Sequence, residues 1–511
     1  MKCAKFITKE QAAELVKDGM TIVPSGFVAC ALPENLTGAL EKRFLETGKP
    51  RNLTLFHTSA QGNRDGSGTD HFAHEGMVKR VIGGHWNMAP KLGQMALDNK
   101  IEAYNFPQGT LSHLMRDIAA GKPGTITHVG LGTFVDPREE GGKLNSITTE
   151  DLVEVVDILG EEKLLYKSIP IDICFLRGTS ADRYGNISLE REVTTTEVLS
   201  TAQATKNCGG IVVVQVERKL EDELCDPKLV KIPGIYVDYI VVCDDPKEHE
   251  QCVGCEYDGS MTGDFIKELG EIKYPPMSPK KIIGRRCALE LSPDTVVNLG
   301  IGIPEYVSLC ASEWGIGDYM TLTVEAGGIG GVPQAGPQFG GAINIQAIID
   351  QANQFDFYDG GGIDDAFLGL AEVDEKGNVN VSKFGGRVAG CGGFINITQN
   401  AKRVYFCGTF TAGGLKIEVN DGKLIVLNEG RAKKFINKAE QITFSGEYAK
   451  KIKQPVKYIT ERCVFELRKD GLHLTEVAPG IDVQTQILDL MDFTPIVDEG
   501  LKLMDERIFQ E

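Results

Sequence analysis

The 511-residue sequence contains no apolar run that reaches the ~20 residues a membrane span requires. Its first ten residues, MKCAKFITKE, lack the apolar core of a secretory signal, so a soluble, cytoplasmic protein is expected. Basic charge is in deficit. Fifty-four Lys and Arg face 72 Asp and Glu, a formal net charge of −18. That balance excludes nucleic acid and anionic membranes as bulk partners but leaves room for a small anionic substrate at a locally positive site. The 13 cysteines are odd in number and form no dense framework, which fits reduced thiols. Cys252-Val-Gly-Cys255 has neither a second pair nor histidines at ligand spacing, so no metal is expected there. His71 and His74, followed by Glu75, do not form H-E-x-x-H and read as structural or substrate-lining. Nucleotide signatures are also missing. The loop Ser25–Glu34 follows an apolar strand, Met20–Val23, and enters a helix near Pro33, but no G-x-G-x-x-G or G-K-[ST] accompanies it. Nicotinamide and ATP therefore have no support.

What the sequence has in plenty is glycine after strands. In T-L-T-V-E-A-G-G-I-G-G, residues 321–331, a β-type run from Leu322 to Val324 delivers Glu325 into a glycine-dense turn. Glycine lets another molecule approach the main chain closely, and a lone acid beside bare N–H groups suits a nucleophilic carboxylate. Taken alone, the stretch reads first as a surface acid at a tight turn. Further glycine loops lie at 300–302, 360–362 and 385–393 in the same half of the chain, which favours a cleft lined by backbone. In the other half, Gln108 stands at a strand end ahead of a helix, where it either faces a cleft or caps a turn. Thr8 to Gly19 reads as a capped helix, Lys280–Leu291 as a basic helix, and Val483–Met491 as a closing helix.

The length calls for two or more domains, and the composition, 42% hydrophobic and 25% charged, suits ordinary globular cores. A repeat divides the chain. IDICFLRGTSADRYGNISL at 171–189 and IDDAFLGLAEVDEKGNVNV at 363–381 share seven of nineteen positions, including Asp182/Asp374, Gly185/Gly377 and Asn186/Asn378. Thr21–Gly26 similarly matches Thr295–Gly300. The expected fold is α/β, with two related open α/β domains produced by internal duplication and an active site in the cleft between them. The expected domains are 1–272, including a connecting segment 218–272, and 273–511, which carries Glu325.

Several motifs together carry a family resemblance: S-G-F at Ser25, F-P-Q-G-T at Phe106, G-L-G-T-F-V-D-P at Gly130, G-I-G-I-P at Gly300, V-E-A-G-G-I-G-G at Val324, Q-F-D-F-Y-D-G-G-G at Gln354 and G-C-G-G-F-I-N-I at Gly390. Over essentially its whole length the chain resembles the family I coenzyme A transferases of the bacterial propionate, acetate and lactate type. The resemblance implies that Glu325 is a nucleophile in ping-pong CoA transfer between a short-chain acyl-CoA and a short-chain carboxylate, through a glutamyl-CoA thioester. It implies Gln108, Gly26, Gly392 and Gly393 as oxyanion or substrate-binding residues. Gly300, Ile301, Gly302, Ile303, Pro304 and Gly390 would meet CoA. No cofactor beyond CoA, no metal, and a homo-oligomer, a tetramer by resemblance, are implied. Ala326, after the acid, departs from many family members and bears on the acyl pocket. An acyl-CoA hydrolase using the same acid, or a non-catalytic CoA-binding regulator, are the alternative readings.

Overall fold

The structure is a computed structural model that describes residues 4–270 and 274–510. It divides into two compact units. The first comprises Met1–Lys267 with Val324–Asp356 and Gly386–Asn396; the second comprises Glu268–Thr323, Phe357–Gly385 and Ile397–Glu511. The boundary expected at 272/273 lies outside the described residues.

We number the strands of the two main sheets in chain order. In the first unit these are β1 (Lys5–Phe6), β2 (Thr21–Pro24), β3 (Leu53–His57), β4 (Val78–Gly83), β5 (Glu102–Asn105), β6 (Ile173–Ala181), β7 (Ile211–Lys219) and β8 (Tyr239–Val242). They pair in the order β1-β8-β7-β6-β2-β3-β4-β5, every pairing along this path parallel, while two short strands, Ile187–Ser188 and Val230–Ile232, add antiparallel beside β6. All nine residues of β6 are buried, as expected of a central parallel strand covered on both faces. The second unit contains β9 (Thr295–Leu299), β10 (Met320–Thr323), β11 (Asp365–Gly369), β12 (Arg403–Cys407), β13 (Val456–Ile459), β14 (Cys463–Arg468), β15 (Gly471–Val477) and β16 (Ile496–Leu503). Here β10-β9-β11-β12-β13 is parallel, and β14 and β15 follow antiparallel before β16 closes the edge in parallel.

The duplication is visible bond by bond. Asp182 Oδ1 accepts from the N–H groups of Tyr184 and Asn186, Asn186 Nδ2 donates to Asp182 Oδ2, and Gly234 N–H donates to Asn186 Oδ1. In the second unit Asp374, Lys376, Asn378 and Gly446 repeat each of these bonds. Gly185 and Gly377 sit at φ 79° and 80°, where other residues are strained. The strand match, however, moves by one residue. Thr21 N–H donates to Asp172 and Val296 N–H to Asp364; Ser25 N–H donates to Phe175 O and Gly300 N–H to Phe367 O. Ser25, and not Gly26, is therefore the counterpart of Gly300. The shared letters Thr21/Thr295 and Gly26/Gly300 had suggested the other register, but pairing follows the ladder rather than identity.

Local expectations fare unevenly. Thr8 caps its helix through a capping box with Gln11, yet the helix ends at Leu15 because Val16 is already extended. The basic helix forms over Pro279–Ala288 but is buried: Lys281 and Arg285 meet Glu313, and Arg286 meets Glu476 and Glu290. The closing helix is a single turn, Val483–Gln486, and the chain continues into β16. Ile487 leaves helical angles at φ −127°, and Asp482 caps only the one turn. Among the described residues no helix is long and apolar enough to cross a membrane, and no group of three or more His, Cys, Asp or Glu could hold a metal ion.

His71 is held between two carboxylates. Its ring lies 2.9 Å from Glu34 and 2.6 Å from Glu41, and His74 lies 2.7 Å from Glu41. Burial opposes the charged ring, but the two carboxylates outweigh it and lift His71 to about 9. A raised folded-state pKa stabilises fully below the unfolded value near 6.5, and the contribution is lost as pH rises through 9. The difference is worth about 3 kcal/mol. Denaturant unfolding between pH 6 and 9.5 should show this loss in the wild type and a flatter profile in His71→Asn.

Candidate active site

The ends of β2, β3, β4 and β5 come together at the carboxyl edge of the first unit's sheet, the edge where open α/β sheets place ligands. Beyond β3 the chain binds the loop after β2. Ser59 Oγ donates to Gly26 O at 2.7 Å, Val28 N–H donates to Ala60 O at 2.6 Å, and Gln61 Nε2 reaches Pro24 O at 2.9 Å. Val28 is held there at φ 52°, an unfavourable angle for a β-branched residue. Gly84, after β4, leaves no room for a Cβ, because Thr58 O occupies that space.

Segment Gly386–Asn396 is fastened onto these strand ends. Asn105 at the end of β5 is the hub: its Nδ2 donates to Gly83 O and Gly84 O, and its Oδ1 accepts from Cys391 N–H. Trp86 and Asn87 donate their N–H groups to Ala389 O, and a Cβ on Gly390 would press 2.8 Å from His85 Cα. Gln108 opens the helix Gln108–Ala119, and its N–H donates to Gly392 O at 2.9 Å. Gly109 N–H donates to Asn396 Oδ1.

Glu325 lies in a turn closed by Gly327 N–H to Val324 O (3.0 Å) and Val324 N–H to Gly328 O (2.9 Å). Gly327, at φ 106°, has Ile349 O where a Cβ would stand, so glycine is required on both counts. From the first half of the chain, Thr194 Oγ1 donates to Ala326 O at 2.6 Å. Ala326 itself is fully buried in an apolar cluster with Phe27, Val28, Ala29, Ala60 and Val324. The Glu325 carboxyl lies against bare backbone: a Cβ on Gly393 would be 3.0 Å from Glu325 Cγ and 3.3 Å from its Oε1. The residue keeps intermediate exposure, yet the protein around its carboxyl raises the pKa above the ordinary value, opposed by a bond from its own N–H.

The donors around it sort themselves. Gly392 N–H donates to Gly84 O at 2.8 Å and is thereby engaged. Among the described residues, Gly393 N–H and the buried Gln108 Nε2 have no partner. Gln108 Oε1 lies 3.8 Å, and His85 Cδ2 3.5 Å, from the position a Gly392 Cβ would take. Burial brings both His57 and His85 down to about 4, so both rings are neutral at physiological pH. The structure thus brings Glu325, Gln108, Gly26, Gly390, Gly392 and Gly393 into one unit. The segment Gly300–Pro304 belongs to the second unit. There Gly302 adopts φ 90°, Ile301 is exposed, and Pro304 precedes the helix Glu305–Glu313.

Sequence reasoning missed Thr58, Asn105 as a hub, and the run Thr194–Glu197. Glu197 is 2% exposed and accepts from Thr58 Oγ1 and Gln351 Nε2, while Thr195 Oγ1 donates to Asp350. The only available signal was T-T-T-E ahead of a helix, which reads as an ordinary cap.

A family model described as coenzyme A transferase matches residues 7–243. The caffeate CoA-transferase of Acetobacterium woodii is 47% identical over 513 residues, covering 99% of this chain and 98% of that protein. The acetate CoA-transferase YdiF of Escherichia coli (strain K12) is 44% identical over 504 residues, covering 98% and 94%. The crystal structure of the acyl-CoA transferase YdiF apoenzyme from Escherichia coli O157:H7 superposes with a TM-score of 0.95 at 43% identity, over 100% of this chain and 97% of that one. The thioester complex of the same enzyme with CoA gives 0.94 at 42% identity, with the same coverage.

Proposed function

The chain belongs to the coenzyme A transferase family and moves CoA between an acyl-CoA and a carboxylate; from that premise we propose that Glu325 is the group that carries CoA during the exchange and that the acids are short. The observation that carries this reading is the Glu325 carboxyl lying against the bare backbone of Gly393, with the Gln108 side chain, whose buried Nε2 has no partner among the described residues, packed near the preceding Gly392.

The chemistry balances without an external proton or cofactor. A Glu325 carboxylate oxygen attacks the thioester carbonyl, the C–S bond breaks, and CoA thiolate leaves behind an acyl-glutamyl anhydride. The thiolate then attacks the Glu325 carbonyl carbon and expels the first carboxylate, leaving a glutamyl-CoA thioester. A second carboxylate attacks that thioester and re-forms an anhydride, and the returning thiolate takes the new acyl group and frees Glu325. Each addition places negative charge on a carbonyl oxygen. Gly393 N–H and Gln108 Nε2 are the donors available for it, with Gly26 O held in place by Ser59 at the rim. Gly390 and Gly300–Pro304 are assigned to CoA. The apolar cluster around Ala326, with Phe27, Val28, Ala29 and Ala60, is assigned to the acyl chain. That assignment suits acetate, propionate, lactate and butyrate, which such a pocket separates weakly. The 42%-identical relative captured as a thioester complex with CoA supports the covalent step.

Incubation with acetyl-CoA alone should add the mass of CoA to the peptide containing Glu325, and borohydride should reduce that site. An unmodified peptide would sink the covalent step. With acceptors present, total thioester should be conserved; thiol release without an acceptor identifies a hydrolase instead. A panel of short aliphatic acids set beside a hydroxycinnamate tests the chain-length assignment, and preference for the aromatic acid would overturn it.

A further inference from the structure

Glu197 is a buried acid to which the transfer chemistry gives no task. Its two oxygens accept from neutral donors, Thr58 Oγ1 at 2.9 Å and Gln351 Nε2 at 3.1 Å. Burial and the like charge of Asp350 push its carboxyl up to about 7, against the hydrogen bonds that favour ionisation. A buried carboxylate without a cation is costly to keep unless its bonds do something a neutral side chain would not.

Its partners lead to both groups of the proposed reaction. Gln351 Nε2 also donates to Ser112 Oγ at 2.7 Å, and Ser112 Oγ donates to Gln108 O at 3.1 Å. On the other side, Gln351 N–H donates to Thr196 O at 2.9 Å, and two residues earlier Ile349 N–H donates to Gly327 O at 3.0 Å, inside the turn that bears Glu325. Thr58, the remaining partner, packs its carbonyl on Gly84, whose own oxygen holds Gly392 N–H at 2.8 Å. One carboxylate therefore ties three segments that converge on the site.

We propose that Glu197 is a positioning residue for CoA transfer: by holding Thr58 and Gln351 together it sets the first turn of the Gln108 helix and the Glu325 turn against each other. The inference rests on the reading of Glu325 given above, and the test separates the two. The full-length protein is compared as wild type, Glu197→Gln, Glu197→Ala, Ser112→Ala and Glu325→Ala. Melting temperature, kcat, both KM values, and the rate at which acetyl-CoA alone modifies Glu325 are measured. In Glu197→Gln the fold should persist while kcat and the modification rate fall together by about 10–100-fold, the scale of a small misplacement of reacting groups. Both KM values should stay within about twofold, since only reacting groups are displaced. Glu197→Ala should fall further, and Ser112→Ala should reproduce part of the loss. Wild-type kcat in Glu197→Gln, or a loss confined to KM, overturns the inference. If Glu197→Gln does not fold, Ser112→Ala decides in the same way, because it cuts the link to Gln108 and leaves the carboxylate in place. Activity in Glu325→Ala defeats the underlying reading. Inactive Glu325→Ala beside wild-type behaviour in Glu197→Gln defeats the positioning role alone.

Discussion

Glu325→Ala should lose roughly 10⁴-fold or more in kcat, because a covalent route cannot proceed without its nucleophile and no other carboxylate in the turn can replace it. The protein should still fold. Gly327, Gly328 and Ile349 close the turn through backbone bonds that the substitution leaves untouched, and Thr194 continues to hold Ala326 O. Glu325→Asp is the sharper test of geometry. It keeps the charge but withdraws the oxygens by a methylene, and a misplacement of about 1 Å costs about 10²-fold. The pH profile of kcat/KM carries a further expectation. The reaction needs the ionised carboxylate, and burial raises the Glu325 carboxyl above its ordinary value. Activity should therefore rise with pH along an acid limb lying above the usual range of a glutamate, and that limb should vanish in the residual activity of Glu325→Ala. Stopped assays with acetyl-CoA and propionate across pH 4–8 would measure it, and a limb at the ordinary glutamate value would contradict the enclosure of the carboxyl.

Gln108→Ala should lower kcat by about 10²–10³, the scale of removing one donor from a developing oxyanion. Its effect on stability should be small, for a specific reason. Gln108 Nε2 is buried and has no partner among the described residues, so truncation removes an unsatisfied group and breaks no bond. The bond that docks the helix start, Gln108 N–H to Gly392 O, belongs to the backbone and survives. An unchanged melting temperature with a large kcat deficit would separate the donor role from a capping role. A turn-capping amide predicts the reverse: a fall in melting temperature with kcat preserved.

The sequence by itself determined a good deal. The glycine turn was legible around Glu325 because a β-type run ending in Glu-Ala-Gly-Gly leaves few backbone solutions. The duplication was legible in D-x-x-G-N, because the Asp side chain bonds the local backbone, the Asn side chain bonds the Asp carboxylate, and glycine supplies the positive φ. Such signals are local, and local chemistry can be read from neighbouring letters. The basic helix shows the limit: its charges are plain in the sequence, but Glu313 and Glu476, distant in the chain, are what take them into the core of the second unit.

What only the tertiary structure decided is which distant segments hold the glycine turn and its donors. Asn105 receives Cys391 across 286 positions and Thr194 reaches Ala326 across 132, and nothing in either short stretch declares its partner. The register between the repeats was settled by strand pairing, which placed Ser25 opposite the role of Gly300 against the more obvious identity of two glycines. The choice among donors was settled the same way. Gly392 and Gly393 are identical letters, but the Gly392 N–H is engaged by Gly84 O while no partner of the Gly393 N–H is found among the described residues. A hydrogen bond is a relation between two atoms, and when the second atom lies hundreds of residues away only the folded chain can say whether a donor is free.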